Sequence, residues 1–131
     1  MVSRGLLHDA LALPGFAAER DGTSLGFLLY RLHDSQCEVV AIATDVRRAG
    51  VGRALLAAVA ARARERGCRR VWLVTTNNNH SALAFYTAVG WQQVAVHRGA
   101  IRESRRLKPE IPEHDRDGTP IEDEVEIEFC P

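Results

Sequence analysis

Two stretches of the chain, Glu38 to Thr44 and Val71 to Thr75, are apolar at almost every position. That is the pattern of strands buried on both faces of a sheet. Between them, Arg53 to Ala61 is built mostly of Ala and Leu, which are strong helix formers. Val51, Leu55, Ala58 and Val59 fall on one stripe of that helix. Arg62, Arg64 and Arg66 gather at its end, where cations complement the dipole, and Gly67 supplies a stop. Strand, helix and strand in this order predict a right-handed crossover joining two parallel strands.

Upstream, Phe16 to Arg20 and Ser24 to Arg31 flank Asp21-Gly22, a favoured tight-turn pair, and read as a hairpin. His33-Asp34-Ser35 makes a second turn. Downstream, a helix is expected from Asn79 to about Val89, ended by Gly90, and a strand from Trp91 to Val96. Residues 98–122 are polar, with three prolines. Arg98, Arg102, Arg105 and Arg106 share a face if this stretch begins as a helix, a face either solvated or suited to an acidic acceptor. Asp115-Arg116-Asp117-Gly118 lacks the ligand spacing of a calcium loop and reads as a turn. In the last strand Val125, Ile127 and Phe129 alternate with Glu124, Glu126 and Glu128. The pattern predicts one buried and one wet face, with glutamates guarding a sheet edge. Together these elements predict an α/β fold: a mixed, mostly antiparallel sheet around a central βαβ unit.

Composition narrows the class. A length of 131 residues suits one domain spanning 1–131. Apolar residues make up 46% and charged residues 26%, as in a folded globular chain. Seventeen basic and seventeen acidic residues cancel, which argues against a nucleic-acid partner. No apolar run approaches the roughly 18 residues of a membrane span, and the opening segment lacks the apolar core of a signal peptide. Cys37, Cys68 and Cys130 are odd in number and widely spaced. They fit a cytoplasmic protein better than a disulfide scaffold, with Cys37 and Cys68 as small core residues. The five histidines and three cysteines show no metal-ligand spacing, so no metal is expected.

Candidate chemistry begins at Arg47-x-x-Gly50-x-Gly52, between the first buried strand and its helix. Unpaired amides at a helix N-terminus, with the dipole behind them, attract anions. Glycines at alternate positions let a phosphate approach the main chain, and Arg47, Arg48 and Arg53 can add charge-assisted bonds. A dinucleotide turn would need a third glycine where Leu55 stands, and no Gly-Lys-Ser/Thr triplet of a Walker loop exists. The letters alone leave a pyrophosphate cradle or an ordinary strand-to-helix turn.

A second pattern follows the second buried strand: Asn79-x-x-Ala82-x-x-Phe85-Tyr86-x-x-x-Gly90-Trp91. With both patterns in order, the chain resembles the GNAT superfamily of acetyl-CoA-dependent N-acetyltransferases, closely over residues 36–96. The resemblance implies acetyl-CoA as co-substrate and a primary amine as acceptor, on a small molecule, a peptide or a protein. It places the pyrophosphate of coenzyme A on Arg47, Arg48, Gly50, Val51, Gly52 and Arg53. It assigns main-chain bonds to the pantetheine arm to Ile42 and Thr44, where the arm lies between two splayed strands. Asn79 matches an asparagine that contacts that arm, although Asn is also a favoured N-cap. Tyr86 matches a tyrosine acting as general acid on the leaving thiolate, although its surroundings also suit a core-edge residue. A backbone N–H near Ile42 would receive the oxyanion. Glu38 is the candidate general base; even spacing puts it on one face with Val40 and Ile42. The other reading of Glu38 is a strand-end carboxylate facing solvent.

The chain departs from the family before Phe16, where a strand and two helices are usual. Val2-Ser3-Arg4 reads as the remnant of a first strand, and Leu6 to Leu13 is too short for two helices. Residues 98–122 or a second copy in a homodimer are the expected means of closing the acceptor side. A truncated, non-catalytic acyl-CoA-binding module acting with a partner protein is the alternative function.

Overall fold

The computed structural model describes residues 2–3, 6–7, 13–44 and 50–131. Its strands are β1 (Val2–Ser3), β2 (Leu6–Leu7), β3 (Gly15–Arg20), β4 (Thr23–His33), β5 (Gln36–Thr44), β6 (Arg70–Thr76), β7 (Gln92–His97) and β8 (Glu124–Phe129). The helices are α1 (Val51–Glu65), α2 (His80–Ala88) and α3 (Ala100–Leu107). β1 and β2 pair with each other, so Val2 and Ser3 are a strand as expected; Arg4 and residues 8–12 lie outside the described residues. The other six strands form a sheet in the order β3-β4-β5-β6-β8-β7. β5 and β6 are parallel on either side of α1, and the β3–β4, β4–β5 and β7–β8 pairs are antiparallel. The predicted mixed fold with its central βαβ unit is therefore present.

Residues fall into two compact units. The first holds the described residues from 13 to 72 with 129–131, the second residues 73–128 with the two short N-terminal strands. In the first unit both hairpin turns have positive φ at their two central residues, Asp21 and Gly22, then Asp34 and Ser35. Tight two-residue hairpins of the I′ kind require that backbone. On one face of the hairpins, Leu28 and Tyr30 are almost fully buried together with Val51, Leu55, Leu56 and Val59 of α1. Gly26 permits the approach: a Cβ there would stand 2.6 Å from the Ala43 carbonyl oxygen and 3.1 Å from Val51 Cγ1. At the other end of α1, Arg62 lies 5.5 Å from the centre of the Phe16 ring and donates to the Tyr30 hydroxyl at 3.0 Å.

The β4–β5 register contains one irregularity with chemical weight. Partners step from Tyr30↔Val39 to Leu29↔Ala41, so Val40 is an extra residue on β5. A bulge of this kind reverses the alternation of faces. Glu38, opposite Arg31, consequently shares its face with Ala41, whereas Ile42, opposite Leu28, shares its face with Val39. The expectation that Glu38, Val40 and Ile42 lie on one face is overturned by that inserted residue.

In the second unit β8 corrects another expectation. It lies between β6 and β7 rather than at the edge, and Glu124 and Glu126 are buried. Glu126 is held by His97 of β7, with Oε1 2.7 Å from Nε2. Arg98 also departs from its predicted helical face, because Gly99, at φ 72°, starts α3 after it. Arg105 is not part of an open basic face either: its guanidinium donates to the carbonyls of Ile111, Pro112 and Ile121. Asp115 forms the expected turn, accepting from the amides of Asp117 and Thr119. The Thr119 amide, ahead of the other donors, holds its carboxyl below the usual carboxylate value.

Cys37 is buried, but Cys68 is only half-buried and Cys130 is exposed. Burial, then the neighbouring Cys68 and Glu38, push the Cys37 thiol from 9.0 up to about 12. An unfolded thiol releases its proton near 9.0 while the folded one retains it, so this residue's contribution to stability is complete below pH 9 and is lost as pH rises toward 12. Denaturant titrations between pH 8 and 11 should show a falling stability whose slope is reduced in Cys37→Ala. In the native protein at pH 8, a thiol reagent should label Cys130 and leave Cys37 untouched until unfolding.

Candidate active site

α1 begins at Gly50, whose φ of 72° and ψ of 10° place it in the left-handed region. A side chain there would meet no atom within 4 Å, so it is backbone conformation, not space, that favours glycine. The Gly50 carbonyl accepts the first helical bond from Ala54 at 3.0 Å. Val51 is buried and fixes the helix start, Gly52 is half-buried and Arg53 exposed. A helix start with a cap residue that has no side chain, and with the dipole behind it, is competent to hold an anion. Arg47 and Arg48 lie outside the described residues. Ile42 and Thr44 are among the last three residues of β5, paired with Leu28 and Gly26. There β5 passes from half-buried at Ile42 to exposed at Ala43 and Thr44.

In the second unit Asn79 is the N-cap of α2. Its Oδ1 accepts from the Ala82 amide at 3.3 Å, and its Nδ2 donates to Thr75 Oγ1 at 3.2 Å. The capping role read from the sequence is thus present. Tyr86, on the buried side of α2, has ring contacts to Phe85 at 5.4 Å and Trp91 at 5.9 Å. Its carbonyl accepts from the Trp91 amide at 2.9 Å, which fixes the chain beyond Gly90. Burial pushes the Tyr86 hydroxyl from 10.0 up to about 12, so at neutral pH it is protonated and is a weaker acid than a free tyrosine.

Glu38 does not face solvent. It is 4% exposed, and its Oε1 lies 3.6 Å from Arg31 Nη2. Both residues line a recess of ≈ 150 Å³ together with His33, Asp34, Gln36 and Trp72, all in the first unit. Trp72 is registered opposite Glu38 across the parallel pair, and Arg70 lies 5.0 Å over the Trp72 ring while donating to Gln36 Oε1 at 3.1 Å. Arg31 was not among the candidates drawn from the sequence, yet the signal was there. A two-residue turn at Asp34-Ser35 pairs His33 with Gln36, Leu32 with Cys37 and Arg31 with Glu38. Among the described residues no helix is long and apolar enough to cross a membrane.

Comparison with known proteins agrees with this layout. The family model described as acetyltransferase (GNAT) family matches residues 4–91. The uncharacterized protein YdhI of Bacillus subtilis is 40% identical over 114 residues, spanning 86% of this chain and 71% of that protein. Among solved structures, an acetyltransferase of Bacillus subtilis in complex with CoA superposes with a TM-score of 0.73 at 18% identity, over 88% of this chain and 74% of that one. The ribosomal-protein-S18-alanine N-acetyltransferase of Escherichia coli gives 0.69 at 22% identity, over 90% and 68%. At these identities the two structures show the fold. Replacing the α2 cap, Asn79→Ala, should cost about 1 kcal/mol of stability, measurable as a lower denaturant midpoint with an unchanged slope.

Proposed function

Because the chain belongs to the GNAT acetyltransferase family, we propose that it transfers an acetyl group from acetyl-CoA to a primary amine. The observation that carries this reading is the left-handed Gly50 opening α1 within the Arg47-to-Gly52 pattern. The CoA bound by the structurally similar acetyltransferase of Bacillus subtilis supports it. In this reading the amides at the start of α1 hold the pyrophosphate, with Arg47, Arg48 and Arg53 adding charge. Ile42 and Thr44 offer main-chain groups to the pantetheine arm. The Asn79 amide, already oriented by Thr75 and the α2 amide, contributes to the same arm.

The chemistry is a direct transfer. The lone pair of the neutral amine forms a C–N bond to the thioester carbon, the C–S bond breaks, and the sulfur leaves with its electron pair. An alkyl amine with a pKa of ~10.4 is only about 0.04% neutral at pH 7, a cost of roughly 4–5 kcal/mol. Glu38, buried and ion-paired with Arg31, is proposed to take the amine's proton and recover part of that cost. Tyr86 is proposed to deliver a proton to the thiolate, so that coenzyme A departs as a thiol. A backbone N–H near Ile42 is proposed to receive the oxyanion.

Melting with and without acetyl-CoA tests the cofactor site. At ~100 times its Kd the ligand adds about 2.7 kcal/mol, and the midpoint should rise by several degrees. That rise should vanish in Gly50→Glu, measured against the variant's own unliganded melting point. Absence of a shift with the native chain at millimolar cofactor overturns the reading. Tyr86→Phe should lower kcat by about a hundredfold or more with KM for acetyl-CoA little changed; unaltered turnover removes Tyr86 from the mechanism. A shift without thiol release across amines, amino acids and peptides would leave an acyl-CoA-binding module instead.

A further inference from the structure

We propose that Arg31 is a positioning residue for the transfer: opposite Glu38 across β4 and β5, it holds that carboxylate charged and aimed for the amine's proton, and it does so without touching the substrate. The proposal rests on the reading of Glu38 as general base given above and adds a second residue to it.

The register sets the pair. Counting outward from the two-residue turn at Asp34-Ser35, the antiparallel ladder brings Arg31 directly opposite Glu38, and directly opposed residues share one face of the sheet. On its other side Glu38 is registered with Trp72 of β6, whose ring lies 5.0 Å from the Arg70 guanidinium. The carboxylate therefore stands on the middle of three strands, a rigid mount rather than a loop. Its side chain is 5% exposed against 38% for Arg31, so the arginine reaches inward from the solvent side to a carboxylate that water scarcely meets.

Enclosing a carboxylate is costly unless cations or hydrogen bonds hold it, and a general base must keep its charge to accept a proton. Glu38 has contacts besides this one; Arg31 is the cation that the β4–β5 ladder itself places beside it. Nη2 stands 3.6 Å from Oε1, beyond hydrogen-bond length. The contact thus acts through charge and occupies no lone pair of the carboxylate.

The arginine is placed there at a cost to the fold. Its Nε is buried and has no hydrogen-bond partner, an unmet donor that destabilises the folded state. Other ion pairs of the chain are built differently. Arg62 with Glu65 and Arg106 with Glu103 join residues three apart on one helix, and both glutamates are exposed. A guanidinium with one donor left unmet, facing a buried carboxylate, is an arrangement that stability alone does not favour and that a demand on the carboxylate explains.

The test is a double-variant cycle on the full chain. The probe acceptors are ethanolamine, spermidine, L-lysine and glycylglycine, and the one that releases thiol fastest from acetyl-CoA with the native chain is used throughout. Glu38→Gln should lower kcat about a hundredfold or more. Arg31→Met should lower kcat about tenfold, with KM for acetyl-CoA and for the probe changed by less than about twofold. Arg31→Lys, which keeps the charge, should recover most of that loss. Because Arg31 acts through Glu38, adding Arg31→Met to Glu38→Gln should change kcat by less than about twofold. Losses that multiply in the double variant overturn the proposal and leave Glu38 as base, and so does an unaltered kcat in Arg31→Met. An unaltered kcat in Glu38→Gln overturns the base reading and the proposal with it. Absence of thiol release with all four probes overturns both together with the transfer itself. Should Arg31→Met not fold, Arg31→Gln takes its place in the cycle with the same expected outcomes.

Discussion

A single residue that the ladder skips, Val40, decides which face of β5 Glu38 and Ile42 occupy. Before it, β5 presents Glu38 to the recess and Cys37 to the core. After it, the alternation is reversed and Ile42 shares the face of Leu28 and Val39 beneath α1. Without the bulge, the carboxylate and the Ile42 side chain would compete for one surface. With it, the carboxylate lies on one face of β5, the helix docks on the other, and the main chain of the later residues runs on toward the helix start. The close passage at Gly26, where Val51 packs against bare backbone, then pins the beginning of α1 to the same stretch of strand.

Buried charge is the second organising theme. Carboxylates are rarely enclosed unless something holds them, and among the described residues three are buried: Glu38, Glu124 and Glu126. Glu126 is held by a histidine at hydrogen-bond length, a tight arrangement that suits a structural role. Glu38 is approached by Arg31 more loosely. The two carboxylates thus sit in different settings, Glu126 against a histidine of the neighbouring strand and Glu38 within 3.6 Å of an arginine of the neighbouring strand.

Much of this was legible in the letters, for reasons that are local. The crossover, both hairpin turns, the Asn79 cap and the glycine that opens α1 depend on neighbours within a few residues. What failed depended on distant partners. Alternation along Glu124 to Phe129 correctly announced a strand, but nothing in those six residues says whether it ends at an edge or enters between β6 and β7. Burial of its glutamates follows from that insertion. The spacing of Arg98 with Arg102 looked helical until the left-handed Gly99 intervened. Even periodicity misled at Glu38, because a bulge is invisible to a count of two. The pairing of Arg31 with Glu38, by contrast, follows from counting outward along both strands from the two-residue turn at Asp34-Ser35.

Arg105 gives the segment after α3 an unusual economy. One guanidinium gathers carbonyls from Ile111 and Pro112 at the outgoing end and from Ile121 at the returning end. Beyond it, both amides of Glu122 and Asp123 close on the Asn77 side chain. The two ends are thus clasped before the chain enters β8, and the residues between Pro112 and Ile121 form a loop fastened again by Asn78 to Asp115 and by Asn77 to the Pro120 carbonyl, which leaves residues 116–118 as its tip. Because closure entropy grows only slowly with length, such a clasp makes the tip an exchangeable module. Descendants of this chain can rewrite it, lengthen it or shorten it while the strand that follows keeps its place.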